Sequence, residues 1–187
     1  VQTCALPISI METAGWDNVV RKLDGQFKIL KVHTHGEHPY SIFPIMPTSW
    51  FDKLGYLSKH QMIDAEVSQI AYMLDIWQRI DVYVTHDRHD LTGNNNDDTF
   101  KERELLEGNP SNPRDFHSIG FSNLRLNEAK TIANWMVTQN LDTSFFKNVM
   151  EGKQDPWERL KQNDINKQMF QFIHPDAEAF KRPPNES

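Results

Sequence analysis

Across residues 64–85 the hydrophobic period of the chain changes from 3.6 residues to two. Val67, Ile70, Ala71 and Leu74 fall at i, i+3, i+4 and i+7, one apolar stripe on a helix that opens at Asp64. Ile80, Val82 and Val84 then alternate with Asp81, Tyr83 and Thr85 in the pattern of a strand with one buried face, and this strand delivers His86 at its carboxyl end. A half-buried strand needs a sheet, and an amphipathic helix beside it needs a face to cover, so the expected class is α/β.

The flanking segments extend this pattern. Residues 17–23 predict a short helix with Val20 and Leu23 on one face, and Asp24-Gly25 turns the chain. Residues 27–33 and 40–45 are rich in strand formers and flank the polar break THGEH, which predicts two strands, the second at an edge because Pro44 has no N–H to give. Thr48 or Ser49 can cap the short helix SWFDKL, which Gly55 ends. From Asp97 the run DDTFKERELLEG predicts a helix terminating at Gly108.

Past Pro113 only helices are expected. Ala129, Ile132, Ala133, Met136 and Val137 form one stripe; residues 142–150 predict a second helix closed by Gly152, Asp155-Pro156 caps a third, and a fourth covers about 164–173. The aromatic residues Trp135, Phe145, Phe146, Trp157 and Phe170 read as packing rather than ligand contacts. The expected organisation is a mixed sheet flanked by helices over 11–108, a helical extension over 109–180 and a flexible tail over 181–187.

The first residues are of another kind. VQTCALPI, residues 1–8 with the sole cysteine Cys4, resembles the translation of a common sequencing-adapter read; on that reading residues 1–10 are set apart as an artefact and no cysteine chemistry is expected, the alternative being an ordinary N-terminal strand. The remaining bulk properties exclude whole classes. A net charge of -6 with no dense Lys/Arg cluster disfavours nucleic acid. No apolar run approaches the roughly 20 residues that cross a bilayer, and no signal peptide is readable, so a cytoplasmic protein is expected. Mean hydropathy of -0.64 with 11% aromatic residues describes a hydrophilic but folded chain.

Three clusters could carry chemistry. HTHGEH offers His33, His35, Glu37 and His38, and H-x-H at a strand end can present two imidazoles to one metal, although solvated loops have the same composition. HDRHD offers His86, His89 and Asp90, with Asp97 and Asp98 beyond; imidazole plus carboxylates suits Mn²⁺, Mg²⁺ or Zn²⁺, while Asp97 or Asp98 could equally cap the next helix. Asp64 with Glu66, beside Asp75, is either a helix cap or a general base.

Taken in order, GWD, VVRKL, FPIMPTSWFDKLGYL, MIDAEVSQIAYML and THDRHDLTGNNNDDTF resemble the second half of GT-A glycosyltransferases of the family-2-like type, including those common in phage and environmental sequences. The resemblance covers residues 15–100, about half of the chain. It implies a partial GT-A-like mixed sheet, a nucleotide-sugar donor, an unknown acceptor and a divalent cation, Mn²⁺ or Mg²⁺. His86 would then be the metal ligand and Asp64 the base or acceptor-hydroxyl anchor. Trp50 and Tyr56 would wall a sugar ring, and Asp97 would stand with them on the substrate side. The family pattern also has a nucleotide-binding half with an Asp-x-Asp motif before GWD, a place that the adapter-like residues take here. The 187-residue chain is therefore expected to be an inactive fragment that binds nucleotide sugar weakly. Two rivals stand beside this expectation: a metal-dependent hydrolase or nuclease using His86, His89 and Asp90, and a non-enzymatic phage or assembly protein.

Overall fold

A computed structural model of the chain describes residues 9–34, 40–59, 63–86 and 119–158. In chain order its elements are β1 (Ser9–Met11), α1 (Trp16–Arg21), β2 (Ile29–Thr34), α2 (Ser49–Leu54), α3 (Ile63–Leu74), β3 (Trp77–His86), α4 (Ile119–Thr138) and α5 (Ser144–Met150). The strands form a sheet of order β1-β3-β2, with β3 antiparallel to β1 and parallel to β2. Two parallel neighbours cannot be joined by a tight turn, and α2 and α3 supply the crossover. The class is α/β.

The end of α3 determines how that crossover returns. Asp75 adopts a left-handed conformation (φ 55°), and the Ile76 amide donates to the Ala71 carbonyl at 3.1 Å while the Asp75 amide donates to Tyr72 at 3.3 Å. This Schellman closure satisfies the last carbonyls and turns the chain at once. The Ile76 carbonyl then accepts the Ile29 amide at 2.8 Å, so β3 starts beside the start of β2. A helix of 12 residues is about 18 Å long and a strand of six about 20 Å. The first turn of α3 therefore lies at the carboxyl edge of the parallel pair.

Side-chain alternation gives the sheet two covered faces. Leu30 and Val32 of β2 join Ile80, Val82 and Val84 of β3 under Trp16, Val19, Val20 and Leu23 from the α1 region. Ile29 points the other way, into a larger cluster with Trp50, Val67, Ile70 and Met73, completed by Ala129, Ile132, Ala133 and Met136 of α4 and Phe146 of α5. In α3 every residue from Ala65 to Leu74 is buried, so the helix is enclosed rather than one-sided. Val137, expected on the α4 stripe, is 54% exposed: it lies one residue past Met136, on the flank that the core does not reach.

Residues 40–45 do not form the strand that their composition suggests. Only Ile45 bridges Leu30, in antiparallel sense. Pro44 cannot donate to a ladder, and the preceding residues are engaged by α3 instead, the Ser41 amide donating to Ser68 Oγ at 2.8 Å and Gln69 Nε2 to Tyr40 Oη at 3.1 Å. The expected helices at 97–108 and 164–173 lie outside the described residues. The expected cap at Asp155 is present, with the Trp157 amide donating to its Oδ1 at 2.9 Å. Among the described residues no helix is long and apolar enough to cross a membrane.

The helix ends provide a stability test. Gly152 closes α5 at φ 70°, a conformation that costs glycine nothing, whereas Asn140 closes α4 at φ 55° with a Cβ to accommodate. Asn140→Gly should raise the unfolding free energy by roughly 0.5 kcal/mol, and Asn140→Val should lower it by about 1–2 kcal/mol, since a β-branched side chain is worst in this region. Urea midpoints of the two variants against the parent check both signs.

Candidate functional site

The carboxyl edge of a parallel pair is where open α/β sheets bind ligands, because side chains from strand ends and helix starts converge there. β3 ends toward that side at His86, the register partner of Ser9 and two residues past the last β2–β3 pair, and α3, whose second residue is Asp64, starts from the same side. Beside them β2 ends in His33 and Thr34. The register sets His33 against Tyr83, and their rings stack at 4.6 Å and 13°. His33 Nε2 lies 3.6 Å from Asp81 Oδ1, but the Asp81 side chain is 96% exposed, so solvent screens that pair almost fully.

Immediately behind Asp64 the interior is polar. Tyr56 Oη donates to Glu128 Oε1 at 2.5 Å, and Ser58 Oγ donates to Glu66 Oε2. Glu66 is 1% exposed, Glu128 4% and Arg125 1%. Burial pushes the Glu66 carboxyl up to about 7; its contact with Glu128 adds to the rise, while bonds from the Ser58 hydroxyl and the Lys59 backbone oppose it. Burial likewise drives the Tyr56 phenol well above its usual range, with Glu128 adding. Burial does the same to Tyr40, where Gln69 and the Arg125 charge pull down and Asp64 pushes up, so both charges act at that hydroxyl. Charged groups this deep exist only where they compensate one another.

The structure distributes the expected site residues unevenly. Asp64 is half-buried at the mouth of this polar region. Trp50 is 0% exposed inside the larger core cluster and offers no surface to a sugar ring; the aromatic wall that the resemblance implied at this residue is packing. Tyr56 is half-buried and spends its hydroxyl on Glu128. Of His86 only the backbone is described, and Asp97, His35, Glu37, His38, His89, Asp90 and Asp98 lie outside the described residues. Among the described residues no group of three or more His, Cys, Asp or Glu is arranged to hold a metal ion, so the described donors do not complete a cation site by themselves.

Arg125 and Glu128 are not singled out by pattern, and Glu66 stands out only beside Asp64, as part of a cap or base, not as a buried partner of α4. Glu66 and Glu128 are far apart in sequence, and helical periodicity assigns polar residues to solvent. A usable signal existed: IDAEVSQIAYML has no Lys or Arg, and a helix lacking cations is poorly suited to a solvated face.

A broad groove among the described residues lies elsewhere. With a volume of about 810 Å³, it runs along the amino edge of the sheet, bordered by Trp16, Phe27, Lys28, Met46, Trp135 and Leu141, and neither Asp64 nor Glu66 lines it. No family model, curated protein or solved structure matches this chain.

Proposed function

We propose that this chain is the acceptor- and metal-side half of a GT-A-type glycosyltransferase, acting on a nucleotide-sugar donor. What supports the reading is topological: α3, which opens with Asp64, returns from the carboxyl side of a parallel strand pair whose longer strand, β3, ends at His86. The order of segments that resembles this enzyme type supports it from the sequence side.

In this proposal Asp64 takes the proton of the acceptor hydroxyl as its oxygen attacks the anomeric carbon of the donor, and the bond from that carbon to the diphosphate breaks. A half-buried carboxylate at a helix start is suited to this, because it reaches the edge while the buried polar region behind holds the helix in place. His86 would give one imidazole ligand to the divalent cation, whose charge offsets that of the departing diphosphate. Tyr56, anchored on Glu128, can still present its ring edge toward the acceptor side.

The test exploits the paramagnetism of Mn²⁺, which reports proximity even when binding is weak. Titrating the protein with Mn²⁺ and UDP should broaden the backbone amide signals of Asp64 and His86 together, before those of Asp24 and Gln26 at the amino edge, and His86→Ala should abolish the effect. Broadening at His86 with Asp64 untouched, or at neither residue, would overturn the proposal.

A further inference from the structure

Two buried carboxyl groups face each other where α3 meets α4. Glu66 comes from α3 and Glu128 from α4, and each has one oxygen held by a hydroxyl, Ser58 on Glu66 and Tyr56 on Glu128. The other oxygen of Glu128, Oε2, is buried and accepts no hydrogen bond among the described residues. A buried acceptor without a donor is costly, and two ionised carboxylates at this separation repel with little water to screen them. One proton between them removes both penalties.

We propose that Glu66 and Glu128 share a single proton that latches α3 to α4, and that losing it to solvent loosens this contact. The charges nearby also act on the tyrosine side chains of this region. Lys59, on the turn that carries Tyr56 and Ser58, lies over the Tyr56 ring at 4.4 Å rather than between the carboxyls. Arg125 on α4 and Asp64 on α3 bring opposite charges, and both act at the Tyr40 hydroxyl. With the proton in place the two glutamates carry one negative charge; without it they carry two.

The direction of the pH response follows. With α4 seated, the Glu66 carboxyl titrates at about 7; once α4 lifts and water enters, it returns toward 4.5. Between those values the closed form holds a proton that the open form has lost, so raising the pH favours opening across that interval and has no further effect above it. The latch is independent of the transferase proposal, since its readouts involve neither the cation nor Asp64.

The experiment is amide hydrogen exchange of α4, corrected for the intrinsic rate, from about pH 5 to about pH 8, in the parent and in Glu66→Gln. Protection of α4 should fall tenfold or more in the parent and then level off; one pKa unit corresponds to about tenfold. In Glu66→Gln it should stay constant, because the amide Nε2 donates to Glu128 Oε2 at every pH. In the difference between parent and variant spectra, which cancels the surface carboxyls, a carboxylic-acid infrared band should be present at the acidic end and vanish at the alkaline end. If Glu66→Gln does not fold, Glu128→Gln takes its place with the same two readouts. Protection that is flat in the parent, an equal fall in parent and variant, or no acid band would each overturn the latch.

Discussion

Replacing Trp50 by alanine should lower the unfolding free energy by about 3–5 kcal/mol, enough to leave the protein barely folded at room temperature. The side chain is 0% exposed and is packed in the cluster of Ile29, Val67, Ile70 and Met73, where the sheet, α3 and α4 meet. Its removal takes away both the transfer free energy of the indole and the contacts of the residues around it. The indole Nε1 has no hydrogen-bond partner among the described residues, so Trp50→Phe discards a buried donor along with part of the volume and should cost clearly less than alanine. Urea unfolding of the two variants gives the comparison. An alanine variant with the parent's midpoint would show that Trp50 is not a core residue.

Arg125→Ala should be comparably severe, about 3–5 kcal/mol near neutral pH, for an electrostatic reason. A guanidinium that is 1% exposed has given up its hydration and is retained only by neighbouring negative groups. Glu128, three residues on along α4, and Asp64, whose charge acts at the same Tyr40 hydroxyl as that of Arg125, are in its neighbourhood. Removing the cation leaves buried carboxylates with less compensation, which costs more than the original pair gained. Arg125→Lys should rescue only partly, since a point charge cannot reproduce a planar fork of donors. Thermal and urea unfolding at one pH decide it: a loss below about 1 kcal/mol for Arg125→Ala would mean that solvent or another group already neutralises the site.

What pattern could and could not read divides along physical lines. The helices at α1 and α2, the start of α3 at Asp64, the β3 alternation and the α4 stripe were legible because each is dictated by local periodicity and by punctuation such as Gly55 and Gly152. Residues 40–45 misled because strand-forming side chains say nothing about whether a partner strand is free, and Tyr40 and Ser41 bond to α3 instead. The resemblance set Trp50 against a sugar ring, and nothing local corrected it, because the groups that bury the indole come from α3 and α4. Asp64 and His86 were readable as candidates from their places at element ends. The Glu66, Arg125 and Glu128 group was not, because it exists only once α3 and α4 are side by side.

The same junction has a bearing on how such a chain can change over generations. Among the described residues, no backbone-to-backbone hydrogen bond joins 119–158 to 9–86, and the contact between α3 and α4 is built from side chains. Within the sheet a slip of one residue would turn every strand side chain to the wrong face. Substitutions at the α3–α4 contact have no such multiplier, because they alter one volume or one charge at a time. Single substitutions on the α4 side of this contact are therefore tolerated more readily than register changes in the sheet, provided that the volume offered to α3 and the Glu128 carboxyl that meets Glu66 are kept.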